Sequence, residues 1–239
     1  MTRAVLTFHA IDDDGGVLSL PPGALEHLLI ALQECEVPVL SYQQLLLSER
    51  GVTLTFDDGM RSVHRHALPM LSARKLPAHL FLTTGAVGGD NRWPSQPATA
   101  RTMRMLDWAE VRDCAVQGMR IECHTHAHPD LRTLDASAIA AECERADQEI
   151  ERAVGRRPEL FAYPYGHVDR RVAAAVGSRY QACFTTRLAY LGTRVDSAQV
   201  PRIDAHYLRA RWIQQRLMAR SGRGYLGVRA WIRSLRGVR

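Results

Sequence analysis

The sequence predicts an α/β fold in which short buried strands alternate with amphipathic helices. Seven apolar runs have the length and composition of buried strands. They cover residues 5–8, 52–56, 79–82, 121–123, 160–162, 182–185 and 200–203. Because strands that alternate with helices are normally joined by crossovers into parallel sheets, we expect a parallel sheet that is either open or closed into a barrel.

The helices are predicted from apolar residues at three- and four-residue spacing. Four regions show it, with apolar positions Leu25, Leu28, Leu29 and Leu32; Val63, Ala67, Met70 and Leu71; Trp108, Val111 and Ala115; and Ile139, Cys143, Ala146, Ile150 and Val154. The first region follows two prolines, and the last begins near Asp135 and stops at Gly155, as helix start and stop signals require.

Residues 85–104 interrupt the alternation with three glycines and two prolines. We predict a loop here, and it is long for a compact domain. Such loops are often lids or binding loops, so Arg92 and Trp93 in its middle are candidate substrate contacts. A solvated excursion without a role in binding is the alternative.

Length and charge divide the chain into a body and a C-terminal segment. The 239 residues, 46% of them apolar, are enough for one domain with a substantial core. Residues 209–239 carry nine arginines and no acid, so the rest of the chain is slightly acidic although the whole has a net charge of +6. We therefore predict a domain over residues 1–207 and a basic helical tail over 208–239. A basic body that would bind nucleic acid is not indicated.

The C-terminal segment, residues 208–239, combines its arginines with large apolar side chains. These are Leu208, Trp212, Leu217, Tyr225, Leu226, Val228, Trp231 and Ile232. Gly222 and Gly224 are predicted to divide it into two helices. Arginine-rich segments with tryptophan suit an anionic membrane surface or a phosphate-bearing substrate. In the alternative, the aromatic side chains pack on the body and the arginines are solvated.

Two further patterns bear on location and redox state. The first nine residues contain only a short apolar run, shorter than a secretory signal needs, so we expect a cytoplasmic protein that can lie peripherally at the inner face of the membrane. The five cysteines are widely scattered and suggest neither a zinc cluster nor a redox pair. We expect them to be small buried residues.

Polar side chains follow the predicted strands at their carboxyl ends. Residues 55–59 read TFDDG, and residues 124–129 read HTHAHP. Two adjacent carboxylates repel each other unless a cation or a proton lies between them. Acids together with closely spaced histidines are typical of a catalytic zinc-type site with three protein ligands and one open position.

These motifs together resemble the polysaccharide deacetylases of the NodB-homology group, also called carbohydrate esterase family four. The TFDDG motif is intact, and residues 124–129 match the family pattern H[ST]xxHP. Residues 161–166 keep the PYG end of a third motif, with Ala162 where many members have arginine. The resemblance covers roughly residues 4–206. It implies a distorted (β/α) barrel, a divalent metal, most simply zinc, and removal of an N-acyl group.

The resemblance also implies roles for individual residues. Asp57 would be the general base. Asp58, His124 and His128 would bind the metal. Tyr165 would line the pocket and offer its backbone N–H to the oxyanion that forms during hydrolysis.

Two roles have more than one candidate. The family's general acid is the histidine of an LxxH motif, and here His9 in residues 6–9 and His206 in residues 203–206 fit that shape. We favour His9 because it has the true leucine and follows the first strand. Arg202 is the candidate to replace the arginine missing at Ala162, with a surface position as its alternative. His126 is not a family ligand, and we expect it outside the metal group.

The resemblance thus implies an enzyme that removes an N-acetyl group from an amino sugar in a polysaccharide, an oligosaccharide or a lipid-linked glycan. Deformylases and cyclic-amide hydrolases on the same fold are one alternative. A non-catalytic protein that docks on membranes through the C-terminal segment is another, although such homologues usually lose metal ligands and this chain keeps all three.

Overall fold

A parallel sheet of seven strands forms the centre of the fold in the computed structural model, which describes residues 1–96 and 99–235. The strands are β1 (Thr2–Phe8), β2 (Ala10–Ile11), β3 (Ser19–Leu20), β4 (Arg50–Phe56), β5 (Ala78–Leu82), β6 (Met119–Cys123), β7 (Leu160–Ala162), β8 (Ala182–Phe184) and β9 (Ile203–Asp204). The α-helices are α1 (Pro22–Glu34), α2 (Tyr42–Leu47), α3 (Leu68–Ala73), α4 (Trp108–Val116), α5 (Ala136–Val154), α6 (Arg170–Gly177), α7 (Arg211–Arg216) and α8 (Arg220–Leu235). Pro97 of the predicted loop and residues 236–239 of the C-terminal segment lie outside the described residues.

The strand order in the main sheet is β8-β7-β6-β5-β4-β1-β9. All of its strands pair in parallel, so their carboxyl ends lie at one edge. Each of the seven predicted runs contributes to it. In β4 every residue after Arg50 is buried, because both faces of the strand are covered, and this explains the continuous apolar runs in the sequence. The small pair of β2 and β3 was not predicted, since two-residue strands carry no periodic pattern.

The main sheet is curled so that the segment 200–204 links its two edges. Val200 bridges Phe184 at the end of β8, and Ile203 pairs with Leu6 of β1. The Val200 N–H donates to the carbonyl of Cys183 at 2.8 Å. The predicted α/β barrel, distorted rather than regular, is therefore confirmed.

The predicted helices are present, and the longest has the predicted ends. The Asp135 side chain caps α5 by accepting from the Ala138 N–H, and Gly155 ends it in the left-handed conformation, with φ of 72°. Among the cysteines, Cys114, Cys123, Cys143 and Cys183 are buried as predicted. The prediction is wrong for Cys35, which is exposed because it follows the last turn of α1 at the surface.

The C-terminal segment packs partly on the body. Its side chains in the main buried cluster are Leu208, Ile213, Leu217 and Leu226. The prediction that glycines separate its helices is wrong, since the break falls between α7 and α8 and both Gly222 and Gly224 lie within α8. Gly222 is instead a point of close approach, where a Cβ would overlap the carbonyl oxygen of Arg216. In the part of the chain that the structure describes, no helix combines the length and apolar character needed to span a membrane.

Candidate active and metal site

The site lies where the neighbouring strands β1, β4, β5 and β6 end. Phe8 pairs with Phe56, so His9 and Asp57 follow at the same level of the sheet. The Asp57 N–H donates to the carbonyl of Phe8 at 2.8 Å, which fixes the backbone just before the turn. His124 follows β6 in the same way, with its N–H donating to the Leu82 carbonyl at 3.1 Å. The parallel sheet thus brings residues far apart in sequence to one edge.

Turns with unusual backbone conformations direct the side chains into this site. Asp58, Thr125, His128 and Tyr165 all have positive φ, at 72°, 66°, 53° and 60°. Residues other than glycine rarely adopt this conformation, and it costs on the order of 1–2 kcal/mol per residue. For Asp58 the turn separates its side chain from that of the adjacent Asp57, so the two carboxylates have different partners.

Asp58, His124 and His128 form a compact group of possible metal ligands. One ligand atom from each lies within 4.8 Å of the others, and all three residues are buried. The Asp58 Oδ1 is 3.3 Å from the His124 Nε2 and 3.5 Å from the His128 Nε2. The His124 Nδ1 donates to the carbonyl of Ala162 at 2.7 Å, so its Nε2 can present a lone pair. Two imidazole nitrogens and one carboxylate oxygen are a donor set that fits zinc.

The electrostatics of this group also fit a cation. Burial, followed by the charge of His124, lowers the pKa of His128 to about 3, so its ring is neutral at neutral pH, as a ligand must be. Burial opposes protonation of His124, but its hydrogen bond to Asp58 and the charges of Asp57 and Asp58 outweigh burial and raise its pKa. A proton and a metal ion therefore compete for the same Nε2.

Arg202 lies at the position predicted for the missing arginine. Its Nη1 and Nη2 donate to the two carboxylate oxygens of Asp57, each at 2.7 Å. Its Nε donates to the carbonyl of Thr185 at 3.0 Å. Burial would raise the pKa of Asp57, but the charge and hydrogen bonds of Arg202 outweigh burial, so that the pKa is lowered. Asp57 is therefore held ionised.

The two candidates for the general acid lie in different places. The His9 Nε2 is 4.0 Å from the Asp57 Oδ2, at the edge of the buried group. His206 is exposed and lines a separate cavity together with Tyr207 and Arg229. The geometry favours His9, although its role as the acid stays a prediction.

The predicted loop extends across the metal group. The Trp93 ring lies over the His128 ring, with centroids 4.3 Å apart. Its Nε1 donates to the Tyr165 hydroxyl at 3.1 Å, and that hydroxyl donates to the Ser95 Oγ at 2.8 Å. Ser95 in turn donates to the carbonyl of His128 at 2.8 Å. Arg92, the other candidate of this loop, is exposed and paired with Asp90.

Besides Ser95, the sequence analysis missed a second residue that supports the ligand loop. Glu142 on α5 accepts from the backbone N–H groups of His126 and Ala127, at 3.1 and 2.8 Å. These two residues lie between the metal-ligand histidines, so Glu142 helps to fix the spacing of the ligands. The His126 side chain contacts Thr84 and Glu149 and lies outside the ligand group, where it was expected.

Comparison with known proteins gives both sequence and structural matches. A relative from Staphylococcus epidermidis, named poly-beta-1,6-N-acetyl-D-glucosamine N-deacetylase, is 24% identical over 165 residues, covering 65% of this chain and 54% of the relative. A Staphylococcus aureus protein of the same name is 26% identical over 127 residues, covering 49% of this chain and 41% of the relative. The chain thus spans about half the length of these curated relatives.

Solved structures show the same fold at low sequence identity. IcaB from Ammonifex degensii superposes with a TM-score of 0.73 at 22% identity, covering 90% of this chain and 97% of that one. A polysaccharide deacetylase from Bacillus cereus gives a TM-score of 0.72 at 22% identity, covering 85% of this chain and 65% of that one. These matches support the curled α/β barrel.

The family assignment rests on a match longer than half the chain. The family model described as polysaccharide deacetylase matches residues 47–181, a range that contains the TFDDG motif, the ligand histidines and the PYG motif. The resemblance inferred from those motifs is confirmed: this chain belongs to the polysaccharide deacetylase family.

Proposed function

We propose that the protein is a metal-dependent N-deacetylase that removes the acetyl group from an amino sugar in a polysaccharide, an oligosaccharide or a lipid-linked glycan. One observation supports this most strongly. A set of three metal-ligand side chains lies beside a second carboxylate that an arginine holds ionised. The names of the staphylococcal relatives support an N-acetylated sugar as the substrate class.

Asp58, His124 and His128 would hold the ion, which we propose to be zinc. When bound, such an ion polarises the amide carbonyl and lowers the pKa of water. The chain contributes a buried setting for the three ligand side chains. Glu142 holds in place the loop that carries His128, by accepting from two of its backbone N–H groups.

Asp57 would act as the general base. Both of its oxygens accept from Arg202, so the carboxylate cannot rotate freely and stays ionised. An ionised carboxylate can accept the proton of the attacking water. The two adjacent acids of the TFDDG motif would therefore have different roles, with Asp57 as base and Asp58 as ligand.

The remaining steps use groups around this centre. His9, when protonated, would donate to the leaving amine of the sugar, and its position near Asp57 supports that role. The backbone N–H of Tyr165 would stabilise the oxyanion. The Trp93 ring would offer a face to the sugar. Acetate and a free amino sugar would be the products.

The same residues would serve a deformylase, which removes a formyl rather than an acetyl group, or a hydrolase of cyclic amides, which opens an amide bond within a ring. A non-catalytic binding protein is less consistent with the site. Such a protein would have no need for a buried arginine that keeps Asp57 ionised next to three convergent ligands.

Amine release and metal content together test the proposal. Purified protein should release free amine from N-acetylated oligosaccharides, with N-formylated ones assayed in parallel. Elemental analysis should find about one divalent ion per chain, because the site has one set of three ligands. His128→Ala should lose the ion and the activity, whereas His126→Ala, a matched change in the same loop, should keep the ion. Equal metal content in both variants would remove His128 from the site.

We propose further that α8 attaches the protein to anionic membranes. Val228, Trp231 and Leu235 recur at helical spacing and are 56%, 62% and 67% exposed, so they form an apolar stripe on one face. The helix also carries four arginines and no acid. An exposed apolar face flanked by arginine matches the chemistry of an anionic lipid surface. The cytoplasmic location stays a prediction.

A further inference from the structure

We propose that a cavity beside the active centre binds an anionic group, such as a phosphate, carried by the glycan substrate. The inference rests on the proposed deacetylase function and narrows its substrate class. The cavity has a volume of about 570 Å³. Its lining comes from the loop before β3, the turn after β9 and the exposed helix α8, and comprises Val17, Leu18, Asp204, His206, Tyr207, Arg229, Ile232 and Arg233.

Two arginines give this cavity its positive charge. Among the described residues, no carboxylate lies within 4.0 Å of the guanidinium group of Arg229 or Arg233. The Arg229 guanidinium carbon is 5.5 Å from the centroid of the Tyr207 ring, which holds the group over that ring. Asp204 is the one acid of the lining, and its Oδ1 already accepts from the backbone N–H of His206 at 2.7 Å. The lining therefore has an excess of positive charge.

A chain of contacts through Thr186 and Tyr165 connects the cavity lining to the metal-ligand group. The Arg233 Nη2 is 3.5 Å from the Thr186 Oγ1, and that hydroxyl lies 3.4 Å from the carbonyl oxygen of Tyr165. The Tyr165 ring packs against the His128 ring, with centroids 4.6 Å apart. On the other side, Asp204 pairs with Thr7 of β1, two residues before His9. The lining thus includes a residue of β9, the strand that pairs with β1 just before His9.

The chemistry of the lining favours phosphate over a neutral ligand. A guanidinium group is planar and can donate two parallel hydrogen bonds to phosphate oxygens. Neither group has a carboxylate partner within the described part of the chain, so an anion would neutralise them. Val17 and Ile232 add apolar surface, so the rest of the bound molecule can be a sugar ring or an acyl chain. We infer a substrate in which the N-acyl group and the anionic group belong to one molecule.

Binding measurements on the full-length protein test whether the cavity binds anions, and they do not depend on enzymatic activity. Inorganic phosphate and pyrophosphate should bind to the wild type in a calorimetric titration. Arg229→Gln and Arg233→Gln should each weaken binding roughly tenfold, the effect expected for one charged hydrogen-bonding group. Arg220→Gln removes the same charge from α8 outside the cavity and should keep the affinity. Equal losses in all three variants, or no binding to the wild type, would overturn the proposal.

Kinetics with a matched pair of substrates test the link to catalysis. An N-acetylated oligosaccharide that carries a terminal phosphate should have a lower KM than the same oligosaccharide without it. Arg233→Gln should raise the KM of the phosphorylated substrate about tenfold and leave kcat similar, because the arginine contacts a non-reacting part of the substrate. Equal KM values for both substrates in the wild type would overturn the inference. If neither substrate is deacetylated, the proposed function fails, while the phosphate titrations still decide whether the cavity binds anions.

A competition arm distinguishes a sugar phosphate from a lipid headgroup. A glucosamine phosphate and a short-chain phosphatidic acid should each be titrated against bound pyrophosphate. Displacement by the sugar phosphate supports a substrate subsite. Displacement by phosphatidic acid alone would contradict it and assign the cavity to lipid headgroups.

Discussion

Arg202 and Asp57 form a buried two-point ion pair in which each guanidinium nitrogen lies 2.7 Å from a different carboxylate oxygen. Arg202 lies within the segment 200–204 that links the two edges of the sheet, whereas Asp57 follows the central strand β4. The segment that closes the barrel thus also supplies the residue that keeps the proposed base ionised. Arg202, just before β9, remains the candidate to replace the arginine that many family members carry at the position of Ala162.

Removal of this arginine should shift the pH dependence of catalysis. Arg202 lowers the pKa of Asp57 against the effect of burial, so in Arg202→Gln the carboxyl should stay protonated to a higher pH. A base is inactive when protonated. The acidic limb of the kcat/KM profile should therefore move to higher pH, and the loss of activity should be largest in acid and smaller in alkali. An unchanged acidic limb would show that Asp57 does not depend on Arg202 for its charge.

The same substitution should destabilise the fold, and a second change should restore it. Loss of one partner from a buried ion pair costs about 3–5 kcal/mol, because the other charge is left uncompensated. Since the pKa of Asp57 is lowered in the folded state, the stabilisation is present above its unfolded pKa and is lost as the pH falls below about 4. Denaturant unfolding of Arg202→Gln should show the loss, and adding Asp57→Asn should recover part of it. No recovery would indicate that packing, rather than charge, holds Arg202 in place.

Single substitutions should separate the role of Asp57 as base from the role of Asp58 as metal ligand. Asp57→Asn should keep the metal but lose activity on the order of 10²–10⁴-fold, because an amide cannot accept the proton. Asp58→Asn should lose metal as well, since Asp58 lies between both ligand histidines. Elemental analysis and initial rates on the same preparations give both readouts. Near-normal turnover in Asp57→Asn would contradict its role as base.

The strands and the site residues could be predicted from the sequence, whereas several contacts that support them could not. Strands buried on both faces appear as continuous apolar runs, and α5 was bounded by its capping residues Asp135 and Gly155. The ligand residues could be found because they directly follow strands, and the carboxyl ends of parallel strands meet at one edge. Arg202 could be proposed for the same reason.

The residues that were missed have no such positional signal. Ser95 lies in an irregular loop, and its bond to the His128 carbonyl depends on how that loop folds back. Glu142 is one of many acids on α5, and only the packing of that helix against the ligand loop distinguishes it from a solvated residue. Gly222 was interpreted as a helix breaker. Its actual role, close approach to the carbonyl oxygen of Arg216 in the preceding helix, depends on how the two helices pack and has no sequence signal.

The choice of general acid can be made with two histidine variants. His9→Ala should lower turnover on the order of 10²–10⁴-fold and remove the alkaline limb of the pH–rate profile, because a protonated donor to the leaving amine is lost. His206→Ala should keep that limb, since His206 is exposed in a different cavity. Metal content should be measured in both variants. Loss of the alkaline limb only in His206→Ala would reverse the assignment.

Membrane attachment should depend on the apolar stripe of α8 and on salt. Vesicles that contain anionic lipid should bind the full-length protein at low ionic strength, with each arginine near the surface contributing about 1 kcal/mol. Binding should weaken as salt shortens the Debye length. Trp231→Ala removes an interfacial anchor and should weaken binding at every salt concentration. Leu47→Ala, which changes an apolar residue that is 91% exposed on α2, serves as the matched control and should bind normally.

Point variants are the sharper test because a truncation after residue 207 would also remove buried side chains. Leu208, Ile213 and Leu217 belong to the main buried cluster, so the shortened chain would expose apolar surface and could bind vesicles nonspecifically. Trp231 is 62% exposed, so its replacement by alanine should leave the unfolding midpoint close to that of the wild type. Equal vesicle binding by Trp231→Ala and Leu47→Ala would contradict a membrane role for the stripe. Binding to neutral vesicles as strong as to anionic ones would contradict the contribution of the arginines.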